Sequence, residues 1–301
     1  MSIKGIGINI HSGRINGDLR LLRQDLDYFA TCGFDYAEIP THGVDAILGG
    51  RLCEPRMREV AEILADQPFR YTVHAPDPLN LFDATYRELQ KDVFRATIAF
   101  AQRIHAEAIV YHAGRFDFTN ERSGLRPAEL KAMEREALRE MGDLAVATGV
   151  VIGVENGDTD SYSSDITQLV AQVQEVAHPA VGITFDLGHA FLTTGHHKQD
   201  FLEMFRLAAP LIVTLHVHDN FGLHVEMPFS VPYIYTSSFG IGDMHLPPGW
   251  GKIPFEQAFA GLRTPPAILT IELQSRFADV APQALQEARR LAALTAEERA
   301  A

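Results

Sequence analysis

The chain predicts an α/β fold, a (β/α)8 or TIM barrel, on three observations. Eight short apolar, β-rich runs recur along its 301 residues, amphipathic helical segments lie between them, and six of the runs end on a carboxylate or a histidine. Strand and helix alternating eight times is the pattern of a closed parallel barrel, which typically takes ~250 residues. In such a barrel the carboxyl ends of the strands open on one mouth, where active sites are built.

The strand runs are IKGIGINI from Ile3, FDYAEI from Phe34, RYTVHA from Arg70 and AEAIVYH from Ala106, then VVIGVEN from Val150, AVGITFD from Ala180, LIVTLHVHD from Leu211 and AILTIEL from Ala267. Between the first two, LRLLRQDLDYFATCG brings Leu22, Leu26, Phe29 and Ala30 near one helical stripe. TYRELQKDVFRATIAFAQRIHA and PAELKAMEREALREMGDLAVATG are longer amphipathic helices. Gly33 and Gly149 stand where helices end before strands, and Pro127 fits a first helical turn. No Gly/Ser or Pro tract divides the chain, so residues 1–301 are expected to form a single domain. One stretch breaks the rhythm, a long loop after the seventh strand from Asn220 to Trp250. Its Phe221, Phe229, Tyr233, Tyr235, Phe239 and Trp250 argue for packing, either as a substrate lid or as a contact in a homo-oligomer.

Composition narrows the partners. A hydrophobic content of 46% is that of a globular protein with a large core, and a net charge of −13 disfavours nucleic acid and anionic membranes, since no excess of Lys and Arg exists to replace counterions. Cys32 and Cys53 form no CxxC pair, which points to a reduced, cytoplasmic compartment. The amino terminus lacks a signal-peptide pattern, and no apolar run approaches the ~18 residues of a membrane span.

The chemistry sits at the strand ends: His74, His112, Glu155, Asp186, His216 and Glu272. His189 lies three residues after Asp186, close enough for a strand end and its turn to aim both at one ion. Asp243 and His245 repeat the idea in DMHLPPGWG, on the long loop. A lone histidine at a strand end is ordinarily structural, but six ligand types at six consecutive strand ends are not independent accidents, and they predict a metal site. Nine nitrogen and oxygen donors suffice for one to three divalent ions. With no cysteine nearby, Zn2+, Mn2+, Co2+, Mg2+ and Fe2+ stay open. His74, His112 and His245 grip either metal or substrate, and Trp250 is a further substrate-binding candidate. Arg14 and Arg115 follow the first and fourth strands and are candidates for meeting a substrate anion. His218 shares a strand face with His216 but is left outside the nine. His11, His42, His196, His197 and His224 fall in predicted loops, and no phosphate-binding glycine loop or nucleophile elbow is present.

These pieces together resemble the xylose isomerase-like superfamily, which includes sugar (phosphate) isomerases and epimerases and the endonuclease IV type of apurinic endonuclease. The carriers are VHAPDPLNL from Val73, YHAG at Tyr111, VEN at Val154, FDLGHA at Phe185, LHVHDN at Leu215, DMHLPPGWGKIPF at Asp243 and IEL at Ile271. The resemblance covers essentially the whole chain. For the isomerase and epimerase members it implies one ion held by Glu155, Asp186, His216 and Glu272, a substrate contact from His189, and proton transfer on a carbohydrate by the two glutamates. For the endonuclease members it implies three Zn2+ held by all nine residues and attack on a phosphodiester. The chain departs from the nuclease pattern in its acidity and aromatic loop. It departs from ketose 3-epimerase-like members at Gly222, six after His216, where they carry arginine. The leading expectation is thus a metal-dependent isomerase or epimerase (lyase not excluded) acting on a small sugar, polyol or sugar acid. The alternatives are a multinuclear zinc phosphodiesterase and a non-catalytic metal-binding accessory barrel.

Overall fold

Eight parallel strands close into a ring. The computed structural model describes residues 3–117, 122–157, 161–224, 237–260 and 262–295. The strands are β1 (Ile3–Asn9), β2 (Tyr36–Pro40), β3 (Arg70–His74), β4 (Ala108–His112), β5 (Val151–Glu155), β6 (Val181–Asp186), β7 (Ile212–Val217) and β8 (Ala267–Ile271). Each pairs with its chain neighbours and β1 pairs with β8, so no sheet edge is left. The outer helices are α1 (Leu19–Cys32), α2 (Glu54–Ala65), α3 (Arg87–Arg103), α4 (Pro127–Thr148), α5 (Ile166–Val176), α6 (Leu187–His196), α7 (Phe201–Ala208), α8 (Phe255–Phe259) and α9 (Ala281–Leu294). A two-stranded antiparallel pair, Ile47–Leu48 with Arg51–Leu52, lies between β2 and α2.

The helix boundaries follow from local chemistry. Asp18 caps α1 by accepting from the Arg20 amide, and Gly33 ends that helix at φ 86°, in the left-handed region where glycine carries no steric penalty. Pro127 opens α4 and Gly149 closes it in the same manner at φ 75°. The apolar stripe of α1, Leu22, Leu26 and Phe29, is buried against the barrel, whose wall residues Ile8, Val110, Val154 and Ile271 are sealed from solvent. Burying each such side chain contributes about 1.5–3 kcal/mol. Inside the ring, threonines fill the layer beneath the mouth. Thr184 and Thr214 are register partners whose hydroxyls lie 2.6 Å apart, and a Cβ on Gly153 would meet the Thr184 hydroxyl at 2.1 Å. The barrel is a packed interior closed below the site.

Of the long loop predicted after β7, residues 225–236 lie outside those described, so the lid and oligomer-contact readings of its central aromatics cannot be placed. The rest is anchored. Asp219 pairs with Leu246 in an antiparallel bridge, and its carboxylate accepts from the amides of Asn220, Gly249, Gly251 and Ile253 at 2.8–3.2 Å. This clamp seats the segment carrying Asp243 and His245 over the barrel mouth. No described helix is long and apolar enough to cross a membrane.

Candidate metal centre

Strand register brings the ligand types together. His112 is level with Glu155 across β4 and β5, and Asp186 is level with His216 across β6 and β7. His74, His112, Glu155 and Asp186 are the last residues of their strands, while Glu272 lies one residue past β8. Asp186 has a second duty as the cap of α6: its Oδ1 accepts from the His189 amide at 2.7 Å, which fixes both residues in one turn.

The donors fall into three groups, in each of which the ligand atoms lie within 4.8 Å of one another: His74, His112 and Glu155; Glu155, Asp186, His216 and Glu272; and His189, His218, Asp243 and His245. All nine predicted ligands are present, and His218 joins them. The two glutamates span groups. Glu155 turns Oε1 to His216 Nδ1 at 2.9 Å and Oε2 to His112 Nε2 at 3.0 Å; Glu272 turns Oε1 to His216 Nδ1 at 3.3 Å and Oε2 to His245 Nδ1 at 3.6 Å.

The arrangement fits metal ions. Glu155 Oε2, His218 Nδ1 and Asp243 Oδ1 are buried and form no hydrogen bond, although Glu155 Oε2 sits close to a ring nitrogen. Such atoms are costly to bury, and two of them, His218 Nδ1 and Asp243 Oδ1, lie 3.5 Å apart within one donor group. The histidines are also oriented from behind, as metal ligands are. His74 Nδ1 contacts the Ala75 carbonyl at 2.8 Å and His189 Nδ1 the Asn156 carbonyl at 2.9 Å, which turns His74 Nε2 towards Glu155 at 3.8 Å and His189 Nε2 towards Asp243 at 3.4 Å. His216 is backed at Nε2 by Glu38, 3.3 Å away, and Glu38 in turn accepts from Thr72 at 2.9 Å.

Charge is shared tightly. Burial opposes ionisation of Glu155, yet His216 and His112 together hold it well below the usual carboxylate range. Asp243 is held well below its usual value in the same way by His245, His218 and His189. Burial works against protonating His216, but Glu272, Glu38 and Glu155 raise it well above an ordinary imidazole. Against the same burial cost, Asp243 and Glu272 push His245 up to about 9. His216 and His245 are therefore held as imidazolium among carboxylates, and an ion taking their ring nitrogens would displace those protons.

The centre floors a cavity of about 400 Å3 whose walls add Asn9, His11, His42, Asp77, Arg115 and Gln274. That volume lies in the range of small-molecule sites. Trp250 is not among the lining residues; it is 54% exposed and packs edge-on against Phe277, so the expected substrate contact is absent from the described cavity. Arg14 is engaged by Asp25 at 2.9 Å and does not line this cavity. Gly222 has φ +69° and a Cβ there would meet Phe191 at 2.8 Å, so the backbone itself disfavours an arginine. Sequence reasoning missed Glu38, a lone carboxylate inside an otherwise apolar strand run, and assigned His11 and His42 only to loops.

A family model described as xylose isomerase-like TIM barrel matches residues 26–294. An uncharacterized protein of Methanocaldococcus jannaschii is 26% identical over 226 residues, spanning 72% of this chain and 76% of the relative. Among solved structures, a D-tagatose 3-epimerase-like protein superposes with a TM-score of 0.72 at 20% identity, covering 98% of this chain and 100% of the other. An IolI protein with a bound zinc atom gives 0.68 at 17% identity, covering 97% and 98%. At these identities the likeness is one of fold.

Proposed function

The chain belongs to the xylose isomerase-like TIM barrel family, and from that premise we propose that it is a metal-dependent isomerase or epimerase acting on a small polyhydroxylated carbonyl compound. The observation that carries this reading is the central group, Glu155, Asp186, His216 and Glu272, in which the two glutamates line a polar cavity and both contact the fully buried His216. These four residues would hold a divalent ion, which when bound supplies polarisation of a carbonyl and its neighbouring hydroxyl. One glutamate takes the proton from the carbon between them. The other returns a proton, to the opposite face for epimerisation or to the adjacent carbon for isomerisation. His216, fixed by Glu38, keeps both carboxylates oriented. His189, His74 and His112 line the cavity, which supports a role for them in meeting substrate hydroxyls. A D-tagatose 3-epimerase-like fold neighbour supports a carbohydrate substrate.

A second reading has an observation of its own. Three donor groups joined through Glu155 and Glu272 would suit two or three ions and the hydrolysis of a phosphoester. The acidic chain opposes nucleic acid as that substrate. The two readings separate in heavy water. Proton transfer at carbon washes deuterium into recovered sugar, whereas phosphoester hydrolysis does not. Deuterium entering a ketose, aldose or sugar acid supports the first reading. No wash-in across that panel, with two or three zinc ions per chain and cleavage of bis(p-nitrophenyl) phosphate, would replace it with the second.

A further inference from the structure

We infer that Arg115 forms an anion-binding end to this cavity, so that the compound taken there carries a phosphate or carboxylate group as well as the oxygens that meet the centre. This rests on the cavity's being a substrate site, as proposed above, and adds the charge of the substrate. The other charged side chains lining the cavity besides histidine are Glu38, Asp77, Glu155, Asp243 and Glu272. Arg115 is the one Arg or Lys among the lining residues. In so acidic a setting a guanidinium is expected to settle on a carboxylate, as Arg14 does on Asp25. Among the described residues Arg115 has no ion-pair partner and its side chain donates no hydrogen bond.

Its backbone, by contrast, is held firmly. The Arg115 amide donates to Asn80 Oδ1 at 3.1 Å, its carbonyl accepts from Asn80 Nδ2 at 3.0 Å, and the residue bridges to Ser161. Gly114 before it donates its amide to the buried Glu134 at 2.7 Å, and a Cβ there would meet the Phe82 ring at 2.2 Å. The backbone is fixed while, among the described residues, the five guanidinium N–H donors meet no acceptor, which suits them to an anion. The neighbouring wall fits the assignment. His42 presents two buried ring nitrogens that make no hydrogen bond. Asp77 lies 3.4 Å from His42 and 3.6 Å from His74, so it offsets the imidazoles and leaves Arg115 unanswered.

The test is calorimetric titration of the metal-loaded protein with inorganic phosphate and, separately, with acetate, for the wild type, Arg115→Gln and Arg115→Lys. At least one anion is expected to bind the wild type roughly ten- to a hundredfold more tightly than Arg115→Gln, with Arg115→Lys between them. Preference for phosphate identifies a phosphate ester as the source, and preference for acetate a sugar acid. Metal content and thermal midpoint are expected to stay unchanged. Equal affinities in wild type and Arg115→Gln overturn the assignment, as does a change confined to metal affinity, which would make Arg115 a counter-charge to the carboxylates. Failure of the isomerase reading looks different: no deuterium wash-in from any sugar, with the Arg115-dependent anion affinity intact.

Discussion

Individual side chains in this centre have separable roles. Glu155 contributes to two donor groups, so Glu155→Gln is expected to lower the bound metal by at least one ion per chain and activity by about a hundred- to ten-thousandfold, read by elemental mass spectrometry alongside turnover. Glu38 lies outside the three donor groups and meets His216 at Nε2. Glu38→Gln should therefore weaken metal affinity by about ten- to a hundredfold while the far-ultraviolet circular dichroism is kept. The proton on His245 gives a pH dependence with a definite sign. Its metal-free value, raised to about 9, means that an ion entering the third group releases a proton at any pH below that. Apparent affinity there should fall by up to about tenfold per pH unit as pH drops from 9 towards 7. Titration calorimetry in two buffers of different ionisation enthalpy counts the proton, and equal heats would refute the assignment.

At the scale of elements, the loop from Asp219 to Gly251 decides whether the third group exists. Asp219→Ala removes the acceptor of four amides and is expected to cost about 2–4 kcal/mol of stability in denaturant unfolding. Its metal loss should be confined to the group of Asp243 and His245, sparing Glu155, Asp186 and His216. The strand-end ligands were legible in sequence because an apolar run broken by a histidine or carboxylate is a strong contrast, and β3 to β6 end on the residues that show it. Asp243 and His245 were legible through their spacing and the prolines after them. Glu38 was not, since its partner His216 lies on a strand far off in sequence, and only ring closure makes them neighbours. His218 reads as a strand neighbour of His216, but its place beside Asp243 depends on the Asp219 clamp, which no local pattern announces. Trp250 stands exposed outside the described cavity, a placement that residue type does not announce.

For the whole molecule, an ion bound at this centre would also stabilise the fold. Buried donors without hydrogen bonds weaken the metal-free fold, and ions that bind only the folded state strengthen it. Chelation is expected to lower the thermal midpoint by about 4 °C for an ion present at a hundred times its dissociation constant, measured by differential scanning calorimetry. A midpoint indifferent to chelator would mean that the donors hold no ion in the folded protein. The barrel itself was read correctly from rhythm alone, because period-two and helical segments alternate without interruption until β7.

The two glutamates stand on strands three apart in chain order, and Glu272 follows the last strand to be made. During synthesis on the ribosome a chain that stops short of β8 already carries His74, His112, Glu155, Asp186 and His216, yet it cannot complete the central group. An ion held by all four donors of that group would therefore report a finished chain with a closed ring.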